Sequence, residues 1–261
     1  MSPQELLDHY DRCILWPGGS RLELPAAYER ALAVRELRIA RGERPRGYKV
    51  GFTNRGIWPR YNVFAPIWGT VWDTTLSFCD AHGEVSLAGI CQPRLEPEAV
   101  FGFAATPPAR PSMGQLLACL DWVAPGFEIV QSHQHDWKFV AADTVADGGL
   151  HARLLVGARR PVTSLAQDAG EFEQLLASAR VTLRRGSDIV DEGAGANVLD
   201  GPLHALVHFL QALRNFPGAP DVQPGDVVTT GTWTDAWAVA PGEQWAAQFD
   251  EPLSALKISF T

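Results

Sequence analysis

QPGDVVTTGTWT (residues 223–234), APGEQWAAQF (240–249) and ALKISF (255–260) close the chain. Two of these apolar runs are entered through Pro-Gly. The pair suits the centre of a type II turn, because glycine supplies the positive φ that the third turn position requires. Three strand-like runs therefore follow one another with only turns between them. A doubly wound α/β sheet would set a helix after each strand, so the pattern points to an α+β chain with a strand-rich body.

The same punctuation extends back to Gly47, through YKVGFT (48–53), IWGTVWDTTL (67–76), EAVFGFA (98–104), FEIVQSH (127–133), WKFVAADTV (137–145), RLLVGA (153–158) and RVTLRRG (180–186). These read as strands, interrupted by expected helices over Ser112–Trp122 and Pro202–Leu213. Before Gly47 the period changes. Leu6, Leu7, Tyr10 and Ile14 recur at helical spacing over residues 3–15, and Trp16-Pro17-Gly18-Gly19 stops that element. A second helix is expected over Pro25–Ala40, with Pro25 in its first turn and Tyr28, Ala31, Leu32 and Ile39 on one face. The expected division is a helical part at 1–46 and a strand-rich catalytic body at 47–261.

The chain has 261 residues, 46% of them hydrophobic and 20% charged, with a formal net charge of −8. That composition suits a packed globular chain. No cluster of Lys and Arg could track phosphates, which argues against a nucleic-acid partner. No stretch approaches the ~20 apolar residues of a membrane span. Cys13, Cys79, Cys91 and Cys119 are widely spaced without C-x-x-C, a pattern that fits a reducing cytoplasm better than a disulfide framework.

RLEPEAVFGF (94–103) carries the strongest chemical signal. In an extended chain Glu96 and Glu98 project from one face, roughly 7 Å apart. Like charges so placed raise each other's pKa unless a cation lies between them. Glu128, inside the apolar FEIV run, is a third carboxylate whose unpaired charge would be costly to bury. Three oxygen donors without Cys or His suit Mg²⁺ or Mn²⁺ rather than zinc. Spacing alone leaves open the alternative of solvated edge-strand glutamates.

Other residues admit two readings each. Lys49, between glycines in an apolar run, is either an edge-strand solubility device or a buried amine with a chemical role. Asp73 is a general base or a turn cap, and the cap is the commoner use. His133 and His135 look like a metal pair but face opposite to Glu128 in an extended run. Gly231-Thr232 could offer a backbone N–H and a hydroxyl to an anion, or be a plain bulge.

As a set, GYKVGFTN (47–54), APIWGTVWD (65–73), RLEPEAVFGF, APGFEIV (124–130), DWKFVAADTVAD (136–147), GANVLDGPLHAL (195–206) and PGDVVTTGTWT resemble the fumarylacetoacetate hydrolase superfamily. The resemblance is to its branch of 2-keto-4-pentenoate hydratases and 4-oxalocrotonate decarboxylases. It implies a mixed β-barrel or roll with a small helical N-terminal part, assembled as a homo-oligomer. It also implies Mg²⁺ or Mn²⁺ on Glu96, Glu98 and Glu128, and a small 2-oxo acid as substrate. The implied reaction is addition of water to an unsaturated 2-oxo acid through a metal-stabilised enolate. Lys49, with a pKa depressed by burial and the metal, would shuttle a proton or neutralise charge. Asp73 would orient the lysine or a water.

The chain departs from the family at Gln131-Ser132-His133, where Asp-Ser-Arg is usual, and at Gly148-Gly149-Leu150-His151. His133 and His151 thereby become substrate-binding candidates, with Gly231 and Thr232. The aromatic stretch from Trp58 to Trp72 suggests a bulkier substrate. Three alternatives stand beside the hydratase. A decarboxylase would need a further basic group for a second carboxylate. An acylpyruvate-type hydrolase would need an early His-Glu pair, and His9 has no evident partner. A non-catalytic binding relative would have no need to retain Lys49.

Overall fold

The computed structural model describes residues 1–261. Two helices lead, α1 (Pro3–Arg12) and α2 (Leu24–Ala40). A capping box between Ser2 and Glu5 starts α1, and Cys13 ends it in the left-handed conformation at φ 50°, three residues before the expected stop. Leu6 and Leu7 are buried as expected, whereas Ile14 and Ile39 are exposed.

The body contains β1 (Pro45–Gly51), α3 (Trp58–Tyr61), β2 (Ile67–Trp72), β3 (Leu76–Phe78), β4 (His82–Val85) and β5 (Arg94–Phe103). Next come α4 (Met113–Leu117), β6 (Leu120–Val130), α5 (Ala141–Ala146), β7 (His151–Val156), β8 (Arg160–Pro161) and α6 (Ala169–Ser178). The chain ends with β9 (Arg180–Arg185), β10 (Asp188–Ala194), α7 (Pro202–Arg214), β11 (Val227–Thr232), β12 (Trp237–Ala238), β13 (Gln244–Phe249) and β14 (Leu256–Phe260). The fold is α+β, with mixed sheets. A nine-stranded sheet runs β2-β1-β11-β5-β6-β7-β3, with β12 beside β5 and β8 beside β6. A five-stranded sheet runs β10-β9-β13-β14-β4. Phe101, Phe127, Phe209, Trp233, Trp245 and Phe260 fill the core, and Leu6, Ala27 and Tyr28 from the leading helices join the same cluster.

Two expectations fail here for tertiary reasons. The helix over Ser112–Trp122 starts where expected, with Ser112 and Gln115 capping each other, but stops at Leu117. Leu120–Trp122 instead joins β6, and the Trp122 ring lies so close over Gly102 that a Cβ there would come within 2.2 Å of it. Pairing with β5 outweighs local helix propensity. The WKFVAADTV run is no strand, because Ala141–Ala146 form a buried helix packed on α2. Cys13 and Cys91, 78 positions apart, meet with sulfurs 2.9 Å from each other as free thiols. No helix is long and apolar enough to cross a membrane.

Candidate metal centre and substrate pocket

β5 and β6 pair antiparallel, with Glu96 directly opposite Glu128 and Glu98 opposite Gly126. Period-2 alternation puts Glu96 and Glu98 on one face, and the register brings Glu128 onto it. One ligand atom from each carboxylate lies within 4.8 Å of the others. Glu98 and Glu128 are fully buried, and Glu96 is partly exposed.

Each carboxylate is oriented from behind. Glu98 Oε2 accepts from the amides of Thr230 at 3.1 Å and Gly231 at 2.7 Å, leaving Oε1 with no partner. Gly231 holds φ at +94°, and a Cβ there would lie 1.8 Å from Thr53 Oγ1, so only glycine delivers this amide. Glu128 Oε1 lies 2.9 Å from His151 Nδ1, and the other His151 nitrogen meets Thr75 Oγ1 at 2.8 Å. Glu128 Oε2 faces Lys49 Nζ at 3.3 Å.

Lys49 is buried on β1, an interior strand between β2 and β11, which excludes the edge-strand reading. Its ammonium donates to the Gly149 carbonyl at 2.7 Å. Gly69, its cross-strand neighbour, has no room for a side chain: a Cβ would lie 2.0 Å from the Gly148 carbonyl.

Burial pushes the Glu96 carboxyl up to about 7, with Lys49 and Arg94 opposing and Glu128 adding to the rise. Burial, then the charges of Glu128 and Glu96, raise Glu98 well above the carboxylate range. Burial would raise Glu128 too, but Lys49 and His151 outweigh it and hold that carboxyl low. For Lys49 burial is opposed by all three carboxylates, which win and raise its pKa in the metal-free chain. In the metal-free chain, therefore, the cluster's own charge outweighs burial.

Two buried, mutually repelling carboxylates and an orphaned oxygen on Glu98 fit a hard divalent cation, for which all-oxygen donors are the usual set. The residues present can therefore hold Mg²⁺ or a similar ion.

A cleft opens onto the cluster, lined by Lys49, Glu96, Gly231 and Thr232. Its wall is aromatic. Phe52 stacks on Tyr61 with centroids at 5.0 Å, Tyr61 on Phe139 at 5.5 Å, and Trp137 lies 6.0 Å from Phe139. Arg60 and Arg94 add two further cations to Lys49. Of the aromatic stretch from Trp58 to Trp72, only Tyr61 lines the cleft, while Trp68 stacks on Tyr28 and Trp72 lies under Arg38.

Several candidates sit elsewhere. Asp73 is exposed in the turn after β2, where its carboxylate caps the Arg44 amide at 3.0 Å. His133 is fully buried outside the cleft, its Nδ1 2.6 Å from Asp147 Oδ1 and its ring 6.2 Å from that of Trp16. His151 has both ring nitrogens engaged behind Glu128, so it positions a carboxylate rather than facing a ligand. The Gly231 amide does serve an anion, but the anion is Glu98. His135 is exposed and belongs to no cluster of potential metal ligands. Sequence reasoning missed Arg94, the Gly149 carbonyl and Trp137, whose placement depends on strand register and loop packing.

No protein-family model matches the chain. Individual relatives do. A 2-hydroxyhexa-2,4-dienoate hydratase from Comamonas testosteroni is 30% identical over 237 residues, covering 90% of this chain and 85% of the relative. A 4-oxalocrotonate decarboxylase from a Pseudomonas species is 29% identical over 206 residues, covering 78% of this chain and 75% of the relative. Among solved structures, the 4-oxalocrotonate decarboxylase from Pseudomonas putida G7, complexed with magnesium and adipate, superposes with a TM-score of 0.87. It is 22% identical, covering 99% of this chain and 95% of that one, and shares the fold. The chain belongs to the fumarylacetoacetate hydrolase superfamily. Within it the relatives place the chain in the branch of 2-keto-4-pentenoate hydratases and 4-oxalocrotonate decarboxylases, so it is an enzyme of the lyase class.

Proposed function

We propose that the chain is a Mg²⁺-dependent hydratase that adds water across a double bond of an unsaturated 2-oxo acid. The observation that carries the reading is the convergence of Glu96, Glu98 and Glu128 with Lys49, in a cluster whose Lys49 and Glu96 line one cleft. A divalent cation held by the three carboxylates would supply Lewis acidity to a 2-oxo acid bound beside it. Lys49, the buried amine lining the cleft, holds a proton on Nζ beside the reacting chain and offsets negative charge there. Gly149 aims it through the 2.7 Å hydrogen bond. His151 and the Thr230 and Gly231 amides fix the ligand carboxylates from behind. Phe52, Tyr61, Trp137 and Phe139 give the cleft an aromatic wall beside the reacting chain.

A decarboxylase on the same scaffold is the second reading, favoured by Arg94, a basic group in the cleft that could take a further carboxylate. Mg²⁺ over Mn²⁺, homo-oligomeric assembly and a cytoplasmic location complete the proposal and rest on the family likeness and the four free thiols. Turnover of 2-hydroxydienoates, followed by ultraviolet loss and carbon dioxide release together, tests it. Metal-dependent absorbance loss without gas supports the hydratase. Gas release supports the decarboxylase.

A further inference from the structure

All four cysteines are free thiols, yet two of them meet. Cys13 Sγ and Cys91 Sγ lie 2.9 Å apart although 78 positions separate them along the chain. A disulfide holds its sulfurs at about 2.05 Å, so a movement of less than about 1 Å would close the bond. Cys79 and Cys119 make no contact of this kind. Both sulfurs sit on ordered backbone. Cys13 is the left-handed cap of α1, its amide donating to the Tyr10 carbonyl at 3.3 Å. The Cys91 amide donates to Gln131 Oε1 at 3.1 Å, and its carbonyl accepts from the Ser132 amide at 3.2 Å.

The two thiols are unequal. Cys13 is partly exposed, whereas Cys91 is buried. Burial, then the Cys13 thiol beside it, push the Cys91 thiol up, so Cys13 is the sulfur that a dissolved oxidant meets first. The residue after Cys91 reaches the cleft. Gln92 Nε2 donates to the carbonyls of Ser132 at 2.8 Å and Gln134 at 2.7 Å, and Gln92 Oε1 accepts from the Asp136 amide at 2.9 Å. The Gln92 carbonyl accepts from the Trp137 indole at 3.0 Å. Cys91 and Gln92 thus hold the loop over residues 131–137, which delivers Trp137 to the cleft wall. The chain leaving α1 touches the same loop, since the Trp16 amide donates to the His133 carbonyl at 2.7 Å.

The geometry points to a redox modification site: Cys13 and Cys91 form a reversible disulfide that staples the end of α1 to the segment holding the cleft-wall loop. The oxidant is a small-molecule disulfide such as oxidised glutathione. Cys13 gives up its proton to water and attacks one glutathione sulfur, breaking that S–S bond, forming a mixed disulfide and releasing the first glutathione thiolate. Cys91 then loses its proton and attacks the Cys13 sulfur, releasing the second. The protein's two thiols surrender two electrons and two protons, and the glutathione disulfide takes them up to become two thiols. The bond closes a long loop and so restricts the unfolded chain. It leaves Glu96, Glu98, Glu128 and Lys49 untouched and is independent of which 2-oxo acid the cleft takes.

The test equilibrates the intact protein with reduced and oxidised glutathione at varied ratios, quenches it with acid, alkylates the remaining thiols and maps them by mass. Alkylation should fall from four thiols to two as the mixture becomes oxidising, with no glutathione retained. The cross-linked peptides should contain Cys13 and Cys91, and dithiothreitol should restore all four thiols. The oxidised form should gain about 5 °C or more in Tm, and amide exchange over residues 131–137 should slow. Cys91→Ser should stop at a glutathione adduct on Cys13, and Cys13→Ser should stay unlinked. Four alkylated thiols at every ratio, a lasting glutathione adduct on the wild type, or a link through Cys79 or Cys119 would overturn the inference. An unchanged Tm, or unchanged exchange over 131–137 in the linked protein, would overturn it as well. The wild-type masses and exchange rates decide the matter even where a serine variant fails to fold.

Discussion

Replacing Lys49 with methionine separates the two roles assigned to it. The substitution keeps most of the stem's volume and removes the ammonium. Both partners of the Lys49–Glu128 pair are enclosed, with side-chain exposures of 4% and 0%. Removing one member of a buried pair costs about 3–5 kcal/mol, because the other charge stays behind. The Gly149 carbonyl also loses its donor. Two effects offset this: His151 still meets Glu128, and the carboxyl can take up a proton. The net cost in EDTA should therefore fall at the low end, about 3 kcal/mol. For a chain of this size that is a drop in Tm of roughly 6–12 °C. With Mg²⁺ present the cation replaces the missing positive charge, so the drop should shrink while turnover stays abolished. Thermal unfolding in EDTA and in Mg²⁺, alongside turnover, reads both. Near-wild-type turnover in Lys49→Met would refute the assignment. So would a Tm drop as large with Mg²⁺ as without it.

Further expectations follow from the same cluster. Glu96 and Glu98 have folded pKa values above the ordinary carboxylate range, so between that range and the folded values the native state binds more protons than the unfolded one. Stability of the metal-free protein should then fall as pH rises from about 4.5 to about 7, and the stabilisation by Mg²⁺ should grow over the same window. Unfolding curves in EDTA and in Mg²⁺ across that range check it. His151→Ala removes the partner of Glu128 Oε1 and should weaken divalent-ion affinity by about 10–100-fold, read by metal titration. Gly231→Ala forces a side chain into Thr53 at a positive φ and should lower Tm far more than Gly242→Ala. Gly242 has a similar φ of +86° but nothing within 4 Å of the added Cβ.

Much of this site was legible along the chain because strands alternate with period 2. Glu96 and Glu98 could be set on one face, and Glu128 recognised as a charge in an apolar run, without any knowledge of pairing. That Glu96 lies opposite Glu128 is a register between strands joined through α4 and two loops, and no local signal specifies it. Lys49 admits two readings by sequence, and the sheet order decides between them by making β1 an interior strand. Asp73 failed as a catalytic group because turn acids and bases look alike in sequence, and the cap to Arg44 is local. By sequence alone His133 and His151 both look like ligand-facing groups. Burial against Asp147 in one case, and behind Glu128 in the other, depends on contacts no spacing reveals. The helix α6 carries a readable local signal, since Asp168 caps the amides of Gly170 and Glu171 ahead of Phe172 and Leu176. By contrast α5 reads as a strand and becomes helical only through its packing on α2.

The central claim is that Glu96, Glu98 and Glu128 together hold one hard divalent cation. Titration with Mn²⁺, followed by electron paramagnetic resonance of the free ion, tests it most directly. One site per chain is expected in the wild type, competed by Mg²⁺ and lost in both Glu98→Gln and Glu128→Gln, with each variant still folded. A stoichiometry other than one, or tight Mn²⁺ binding that survives either substitution, would contradict the account.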